Sequence, residues 1–184
     1  VQIALIHYQF EAIHPFLDGN GRVGRLLITL FLIERNILPT PLLYLSAFFE
    51  ATRRDYYDML TGVHEHAEWE DWLEYFLNGV ARQSEDALSR AERINHLLEK
   101  WRKSLVGTSS KTAILLLDMI AANPFVSVNG AVKKLNCAFT TAQRAIGKLV
   151  QLKIVSQVGT KKRDRVFCAK NILDILEEPA KLIP

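Results

Sequence analysis

A glycine-rich polar segment at residues 14–25 separates two apolar runs, and this break most constrains how the chain can fold. Before it, apolar side chains recur near helical spacing from Ile3 to Ile13. After it, a second apolar run extends from Leu26 to Ile33. We therefore expect two helices joined by a turn, with the second helix beginning at about Gly21.

The same segment carries groups that suit an anion with several phosphates. Gly19 and Gly21 can adopt positive φ, which lets main-chain N–H groups approach an anion without a Cβ atom in the way. The N–H groups and the dipole of the following helix N-terminus point in the same direction. Arg22 and Arg25 are three residues apart, so they leave one helix face and can each bind phosphate oxygens. The sequence therefore predicts a polyphosphate site.

Two further side chains of this segment supply chemistry. Asp18 is a hard oxygen ligand, suited to a Mg²⁺ ion that bridges two phosphates. His14 carries the one side chain of the segment that ordinarily titrates near neutral pH, which makes it a candidate general base. The alternative interpretation is a connecting turn followed by a solvated arginine face. A connection, however, does not require His, Asp and two Arg at fixed spacing.

The pattern H-P-F-x-D-G-N-G-R-x-x-R resembles the signature of the Fic family, with no position missing. The resemblance implies an enzyme, a nucleotidyltransferase that moves AMP from ATP to a Tyr, Ser or Thr hydroxyl of a protein. It implies His14 as the base, Asp18 as the Mg²⁺ ligand, and nucleotide or phosphate contacts from Asp18, Gly19, Asn20, Gly21, Arg22, Gly24 and Arg25. Phosphorylating relatives of the Doc type have a lysine where Gly21 stands, so the resemblance favours AMP transfer.

A tyrosine pair further along also resembles the family, in which such a pair sits near the nucleotide base. It lies in the segment Arg54-Asp55-Tyr56-Tyr57. The alternative is plain core packing. Because adjacent helical residues point about 100° apart, we expect one tyrosine to be in the core and the other to face the site.

Residues 1–106 are predicted to form the first domain, a partial Fic-type antiparallel helical bundle. Helical patterns cover residues 21–35, 46–62, 68–79 and 80–105, and no strand pattern interrupts them. The helical pattern is already present at Val1. We therefore expect an N-terminally truncated Fic protein, without the upstream helices and the β-hairpin flap that the family carries.

Residues 107–184 are predicted to form a second domain, and its first residues belong to a small polar linker at residues 106–110. Helical patterns at residues 111–122, 130–135 and 140–152 precede two alternating stretches at residues 154–158 and 165–169. Three helices followed by a hairpin is the order of a winged helix-turn-helix domain, an α+β unit. The resemblance extends to the winged-helix units that many Fic proteins carry.

Charge is distributed unevenly between the two predicted domains. Residues 1–106 hold 11 basic and 15 acidic side chains, whereas residues 107–184 hold 12 basic and 5 acidic ones. A basic second half indicates an acidic partner such as DNA. The candidate contacts to DNA or to a partner are Arg144, Lys148, Lys161, Lys162 and Arg163. The helix at residues 140–152 is rich in apolar residues, so the alternative is a docking module or one that forms a homodimer.

Composition limits the classes of protein to which the chain can belong. The chain has 184 residues, of which 49% are hydrophobic and 23% charged, enough apolar residues for a buried core. Leu26–Ile33 is too short to span a bilayer, and no secretory signal pattern is present. The two cysteines match no metal spacing. We expect a cytoplasmic protein that has a protein substrate, uses ATP and Mg²⁺, and does not associate with a membrane. An alternative function is removal of AMP, or nucleotide sensing by a regulator whose winged helix binds DNA or a partner protein.

Overall fold

The computed structural model describes residues 1–39, 43–106, 111–160 and 164–179. Within these ranges the chain has nine helices and three short strands, which confirms the predicted mainly α fold. It forms two compact units, Val1–Ser89 and Arg90–Glu178. Across the described residues, no helix is both long enough and apolar enough to cross a membrane.

The described residues of the first unit form helices and connecting turns and include no strand. It contains α1 (Gln2–Ile13), α2 (Asn20–Glu34), α3 (Leu45–Ala51), α4 (Arg53–His66) and the first part of α5 (Trp69–Leu105). The predicted helix at residues 46–62 is in fact two helices, which meet at Thr52. The Thr52 hydroxyl donates to the main-chain oxygen of Phe48 at 2.8 Å, a local bond that competes with regular helix geometry.

An aromatic cluster forms much of the core of the first unit. Phe48, Phe49, Trp72 and Phe76 are each 2% exposed or less. The Trp72 indole N–H donates to the main-chain oxygen of Ala4 at 3.1 Å, so the ring satisfies its polar atom inside the core. This bond joins α5 to α1, the helix that leads into residues 14–25.

Helices α1 and α2 approach closely where Gly24 faces α1. Gly24 is buried, and a Cβ atom added there would overlap the Glu11 carboxylate and lie 3.0 Å from Cδ1 of Phe10. A larger residue would have to push the two helices apart. Gly24 therefore sets the spacing of the helices that flank the polar turn.

The second unit contains the end of α5, α6 (Lys111–Ala122), β1 (Phe125–Ser127), α7 (Val128–Leu135), α8 (Phe139–Gln151), β2 (Ser156–Val158), β3 (Val166–Cys168) and α9 (Lys170–Glu177). The strands form an antiparallel sheet in the order β1-β3-β2. This is the element order expected at residues 111–169, with β2 and β3 paired as the predicted hairpin. Its tip, with Lys161, Lys162 and Arg163, lies outside the described residues.

The boundary between the units differs from the expected position at residue 106. Helix α5 runs unbroken from Trp69 to Leu105, and its last turns belong to the second core. Leu98, Trp101 and Leu105 are buried there together with side chains of α6 and α8. Part of the expected linker, residues 107–110, lies outside the described residues.

Candidate functional site

A cavity of about 310 Å³ in the first unit gathers the polar side chains of residues 14–25. It lies between the end of α1, the start of α2, and the junction of α3 with α4. Its lining residues are His14, Leu17, Asp18, Gly19, Asn20, Gly21, Arg22, Arg25, Phe49, Glu50, Arg53, Tyr56 and Tyr57. Nine of the ten predicted catalytic and nucleotide-binding residues therefore share one cavity, and Gly24 is the exception.

A larger cavity of about 470 Å³ lies elsewhere in the same unit. Its lining side chains are mostly apolar, among them Ile28, Phe31 and Phe76, and no carboxylate or histidine lines it. Arg35 supplies a positive charge there, but the described lining side chains offer neither a candidate general base nor a carboxylate ligand for a metal. The smaller polar cavity is therefore the candidate functional site.

His14 stands at the end of α1, where the chain turns into the cavity. It adopts the left-handed conformation, with φ 49° and ψ 56°, and its N–H donates to the main-chain oxygen of Phe10 at 3.0 Å. This conformation is uncommon for a residue with a Cβ atom and costs on the order of 1 kcal/mol. The His14 side chain is exposed and lines the cavity, as a general base must.

Asp18 and Arg22 form an exposed pair at the rim of the cavity. The Arg22 guanidinium lies 3.5 Å from Oδ2 of Asp18, and the Asp18 side chain is 94% exposed. Oδ1 of Asp18 accepts a hydrogen bond from the N–H of Gly19 at 2.6 Å. Exposed ion pairs typically contribute only about 0–1 kcal/mol, so a phosphate could compete for Arg22 at little cost.

The Asn20 side chain stabilises the turn and is not available to a ligand. It is 2% exposed, and its carboxamide makes two hydrogen bonds to the main chain of Phe16. The predicted phosphate contact of Asn20 stays a prediction, and it falls to the main chain. The main-chain N–H of Asn20 remains in the first turn of α2, where helical N–H groups have no partner within the helix.

The three glycines of the segment have three different roles. Gly19 has φ 82° at the N-cap of α2, which confirms its predicted positive φ. Gly21 does not have positive φ, contrary to expectation, because it is already inside α2. A Cβ atom on Gly21 would lie 3.1 Å from Nη1 of Arg25, so this glycine leaves room for the guanidinium. Gly24 does not line the cavity and packs against α1, and its nucleotide contact stays a prediction.

The tyrosine pair divides as expected between the core and the surface of the cavity. Tyr56 is 4% exposed, and its hydroxyl lies 3.0 Å from Nε2 of His7, a buried histidine. Tyr57 is 53% exposed, and its ring lies under the Arg53 guanidinium at 5.9 Å. Tyr57 is therefore the exposed member of the pair at the cavity, while Tyr56 forms part of its wall.

Phe49, Glu50 and Arg53 line the cavity but were not predicted as site residues. The side chain of Arg53 lies 3.9 Å from that of Glu50 across the break between α3 and α4. A signal for two of them was present in the sequence. Glu50, Arg53 and Tyr57 are three and four residues apart, a spacing that brings side chains to one helix face.

Burial perturbs three titratable groups beside the cavity. It lowers the pKa of His7 to about 4 and raises the pKa of the Tyr56 hydroxyl, so both are neutral at pH 7. Burial also raises the pKa of Glu11, while the positive charges of Arg25 and His14 oppose that shift. A strongly perturbed group in a cleft is a common property of functional sites.

The metal prediction rests on a single carboxylate. Across the described residues, no three His, Cys, Asp or Glu side chains converge as a metal-binding group. Mg²⁺ is commonly bound by one or two carboxylates together with substrate phosphates and water, rather than by a full protein cage. Asp18 fits that arrangement, since its carboxylate is exposed at the cavity beside Arg22.

The predicted contacts of the second unit lie on α8. Arg144 is exposed and Lys148 is partly exposed, with its ammonium 3.3 Å from Oε1 of Gln151. Ala142, Ala145, Ile146 and Leu149 of this helix are buried, whereas Phe139 and Val150 are exposed. Lys161, Lys162 and Arg163 lie outside the described residues, so the structure does not bear on their predicted contacts.

Comparisons with known proteins agree with the motif. Residues 1–32 match the model of the Fic/DOC family. A probable protein adenylyltransferase of Aquifex aeolicus is 47% identical over 51 residues, which cover 26% of this chain and 16% of that protein. The protein adenylyltransferase fic-1 of Caenorhabditis elegans is 36% identical over 87 residues, which cover 47% of this chain and 15% of that protein.

A third relative, the protein adenylyltransferase Fic of Nematostella vectensis, is 35% identical over 82 residues, covering 45% of this chain and 17% of that protein. The chain thus spans about a sixth of the length of the curated relatives it matches. These matches support the predicted relationship to the Fic family.

Proposed function

We propose that this chain is part of a protein adenylyltransferase, which moves AMP from ATP to a Tyr, Ser or Thr hydroxyl of a protein. The observation that carries the proposal is the single cavity that holds His14, Asp18, the start of α2, Arg22 and Arg25. Phosphoryl-group chemistry depends mainly on positioning and charge stabilisation. This cavity combines arginine side chains and main-chain N–H groups, which can stabilise phosphate charge, with His14 as a candidate base.

In the proposed mechanism, the nucleotide phosphates lie at the N-terminus of α2. Main-chain N–H groups of Asn20 and Gly21 donate to them, Gly19 shapes the turn through its positive φ, and Arg22 and Arg25 neutralise their charge. His14 accepts the proton of the incoming protein hydroxyl, whose oxygen forms a bond to the α-phosphorus. The bond from the α-phosphorus to the bridging oxygen breaks, and pyrophosphate leaves with the electron pair.

Asp18 would hold Mg²⁺ in this site. When bound, the ion would neutralise phosphate charge and help to orient the triphosphate. Tyr57 supplies an exposed ring on which a nucleotide base could stack, and Arg53 already lies against that ring. The modified protein would approach from the open side of the cavity, where His14 is exposed.

The proposal is tested by intact-mass measurement after incubation with ATP, Mg²⁺ and candidate target proteins. We expect a gain of one AMP on a target or on the chain itself. In His14→Ala the transfer rate should fall by about 10²–10⁴-fold, the usual contribution of a general base, while ATP affinity is retained. His64→Ala is the matched control, because His64 is exposed on α4 and does not line the cavity.

Other outcomes separate the alternatives. A gain of phosphate would indicate phosphotransfer, and unchanged transfer in His14→Ala would contradict the assigned base. ATP binding without transfer by the wild-type protein would favour nucleotide sensing. Loss of AMP from a modified target would favour the reverse reaction.

A second proposal concerns the second unit. We infer that it is a winged helix that binds DNA through α8. The observation that favours this function is that Ala142, Ala145, Ile146 and Leu149 are buried, which leaves Thr141, Gln143 and Arg144 exposed on the outer face of α8. Polar and basic side chains on one helix face suit a DNA groove. The alternative partners are a docking protein and a second copy of this chain.

A further inference from the structure

His7 is a buried histidine behind the cavity that the proposed mechanism does not use. It stands on α1, it is 1% exposed, and it does not line the cavity. Its ring stacks on Phe49, with the ring centroids 5.6 Å apart and the planes 4° from parallel, and it also stacks on Trp72 at 6.2 Å. Rings of this kind could pack equally well around a phenylalanine, so the polar atoms of a buried imidazole require a physical reason.

The hydroxyl of Tyr56 is a partner for one of those polar atoms. It lies 3.0 Å from Nε2 of His7, and both side chains are buried. Burial lowers the pKa of His7 to about 4, so the bond joins two neutral groups at pH 7. Because a hydrogen bond is directional, it restrains the position of the Tyr56 ring within the aromatic cluster more closely than packing between rings does.

Tyr56 connects this bond to the cavity. Its ring meets the ring of Tyr57 edge-on, with the centroids 5.4 Å apart, and it lies 4.8 Å from the ring of Phe49. These three rings all line the cavity, and we call them the aromatic wall. The bond also joins α1, which ends beside His14, to α4, which carries the tyrosine pair. His7 therefore lies directly behind the aromatic wall and bonds to one of its members.

We propose that His7 is a positioning residue, which holds the aromatic wall in place for the nucleotide base through its hydrogen bond to Tyr56. The role of the wall as the surface for the base rests on the proposed function. The position of the wall is a property of the protein itself and can be measured without a nucleotide. The groups proposed to bind phosphate belong to α2 rather than to the wall, so loss of the bond should weaken binding of the base and spare binding of the phosphates.

The first test measures the position of the wall by NMR. In a protein with ¹³C-labelled tyrosine rings, the Tyr57 resonances are assigned by their loss in Tyr57→Phe. We expect His7→Phe, which removes the bond and keeps an aromatic ring, to shift the Tyr57 resonances. His7→Gln should shift them much less, because the glutamine amide can still bond to the Tyr56 hydroxyl. Unchanged Tyr57 resonances in His7→Phe, or equal shifts in the two variants, would overturn the proposal.

The second test compares the binding of ATP with that of inorganic triphosphate, which has no base, by titration calorimetry in the presence of Mg²⁺. We expect His7→Phe to weaken ATP binding by about 2- to 10-fold, the range for one neutral hydrogen bond, and to leave triphosphate binding unchanged. His7→Gln should recover most of the lost ATP affinity. His64→Phe is the matched control, because His64 is exposed on α4 and does not line the cavity. A merely structural role of His7 would weaken the binding of both ligands alike.

A double substitution shows whether His7 acts through Tyr56. In a Tyr56→Phe background, His7→Phe should have no further effect on ATP affinity, because the bond is already lost. An equal loss of affinity in both backgrounds would contradict the proposal. Tyr56→Phe by itself also removes the bond, so it replaces His7→Phe in the other tests if that variant does not fold.

The tests distinguish failure of this inference from failure of the proposed function. If the wild-type protein binds no ATP, the proposed function is wrong, and the Tyr57 resonances alone decide whether His7 positions the wall. If ATP binds and His7→Phe weakens the binding of ATP and of triphosphate equally, the proposed function is unaffected and the positioning role is overturned.

Discussion

The Asn20 carboxamide is bonded at both ends to the main chain of Phe16. Its Oδ1 atom accepts from the Phe16 N–H at 2.9 Å, and its Nδ2 atom donates to the Phe16 oxygen at 2.6 Å. These two bonds close the turn that carries Asp18 and Gly19 into the first turn of α2. Asn20 therefore fixes the position of the turn whose main-chain N–H groups are predicted to bind phosphate.

We predict that Asn20→Asp destabilises the first unit and lowers transfer. The carboxylate can still accept from the Phe16 N–H, but it cannot donate to the Phe16 oxygen, and it adds a buried charge. Loss of a buried partner typically costs about 1–3 kcal/mol. The free energy of unfolding, measured by denaturant titration, checks this value, and the KM for ATP reports the loosened turn.

Asn78→Asp is the matched control for Asn20. Asn78 is exposed, and its Oδ1 atom accepts from Nε of Arg82 at 3.1 Å, a bond that a carboxylate keeps. Exposed substitutions usually change stability by no more than about 0.5 kcal/mol. Equal destabilisation by the two substitutions would show that the bonds to Phe16 do not hold the turn.

Gly24→Ala should destabilise the protein, although alanine is ordinarily the better helix former. The added Cβ atom meets Glu11 and Phe10 across the contact between α1 and α2. We therefore expect overpacking to lower the free energy of unfolding by about 1–3 kcal/mol. Gly147→Ala is the control, because a Cβ atom at that helical glycine meets nothing within 4 Å. It should stabilise by roughly 0.5–1 kcal/mol. Thermal unfolding of the two variants should therefore shift in opposite directions.

The sequence predicted much of the candidate site because its residues are close together in the chain. Spacing alone indicated that His14, Asp18, Arg22 and Arg25 would surround one turn, and all four line the same cavity. Spacing could not distinguish a glycine that faces a ligand from one that faces another helix. The role of Gly24 depends on α1, and that contact is a tertiary one.

The unit boundary was not predictable for a similar reason. The helical pattern of α5 continues without a break through Ser89, so nothing local marks where one core ends and the other begins. Leu98 and Trp101 are apolar at helical spacing in either case. Which core they join is decided by the side chains of α6 and α8 that pack against them.

Stability should fall as the pH is lowered through the range in which His7 titrates. Burial lowers the pKa of His7 from 6.5 to about 4 in the folded protein. Between these values the unfolded chain binds a proton that the folded protein does not, so folding loses free energy as the pH falls. The loss should approach about 3 kcal/mol near pH 4, from about 1.36 kcal/mol for each pKa unit.

His7→Gln isolates this effect, since glutamine can still bond to the Tyr56 hydroxyl but does not titrate. The measurement is the free energy of unfolding at pH 7 and pH 4.5, compared between the variant and the wild-type protein. Glu11 acts in the opposite direction, because burial raises its pKa and the folded protein holds that proton more tightly. Only the difference between the two proteins therefore reports on His7. The same pH dependence of stability in His7→Gln and in the wild-type protein would contradict the lowered pKa of His7.

Arg144→Ala should weaken DNA binding by the second unit if α8 faces the groove. Loss of one phosphate contact lowers affinity for all sequences and reduces the salt slope of log K by about 1, whereas loss of a base contact costs about 1–3 kcal/mol at one position of the site only. Lys103→Ala is the charge-matched control, because Lys103 is exposed on α5 rather than on α8. Fluorescence anisotropy with duplex DNA at several salt concentrations separates these cases. An equal loss of DNA affinity in the two variants would indicate a general charge effect. If Arg144→Ala binds DNA with unchanged affinity, a protein partner for α8 is favoured instead.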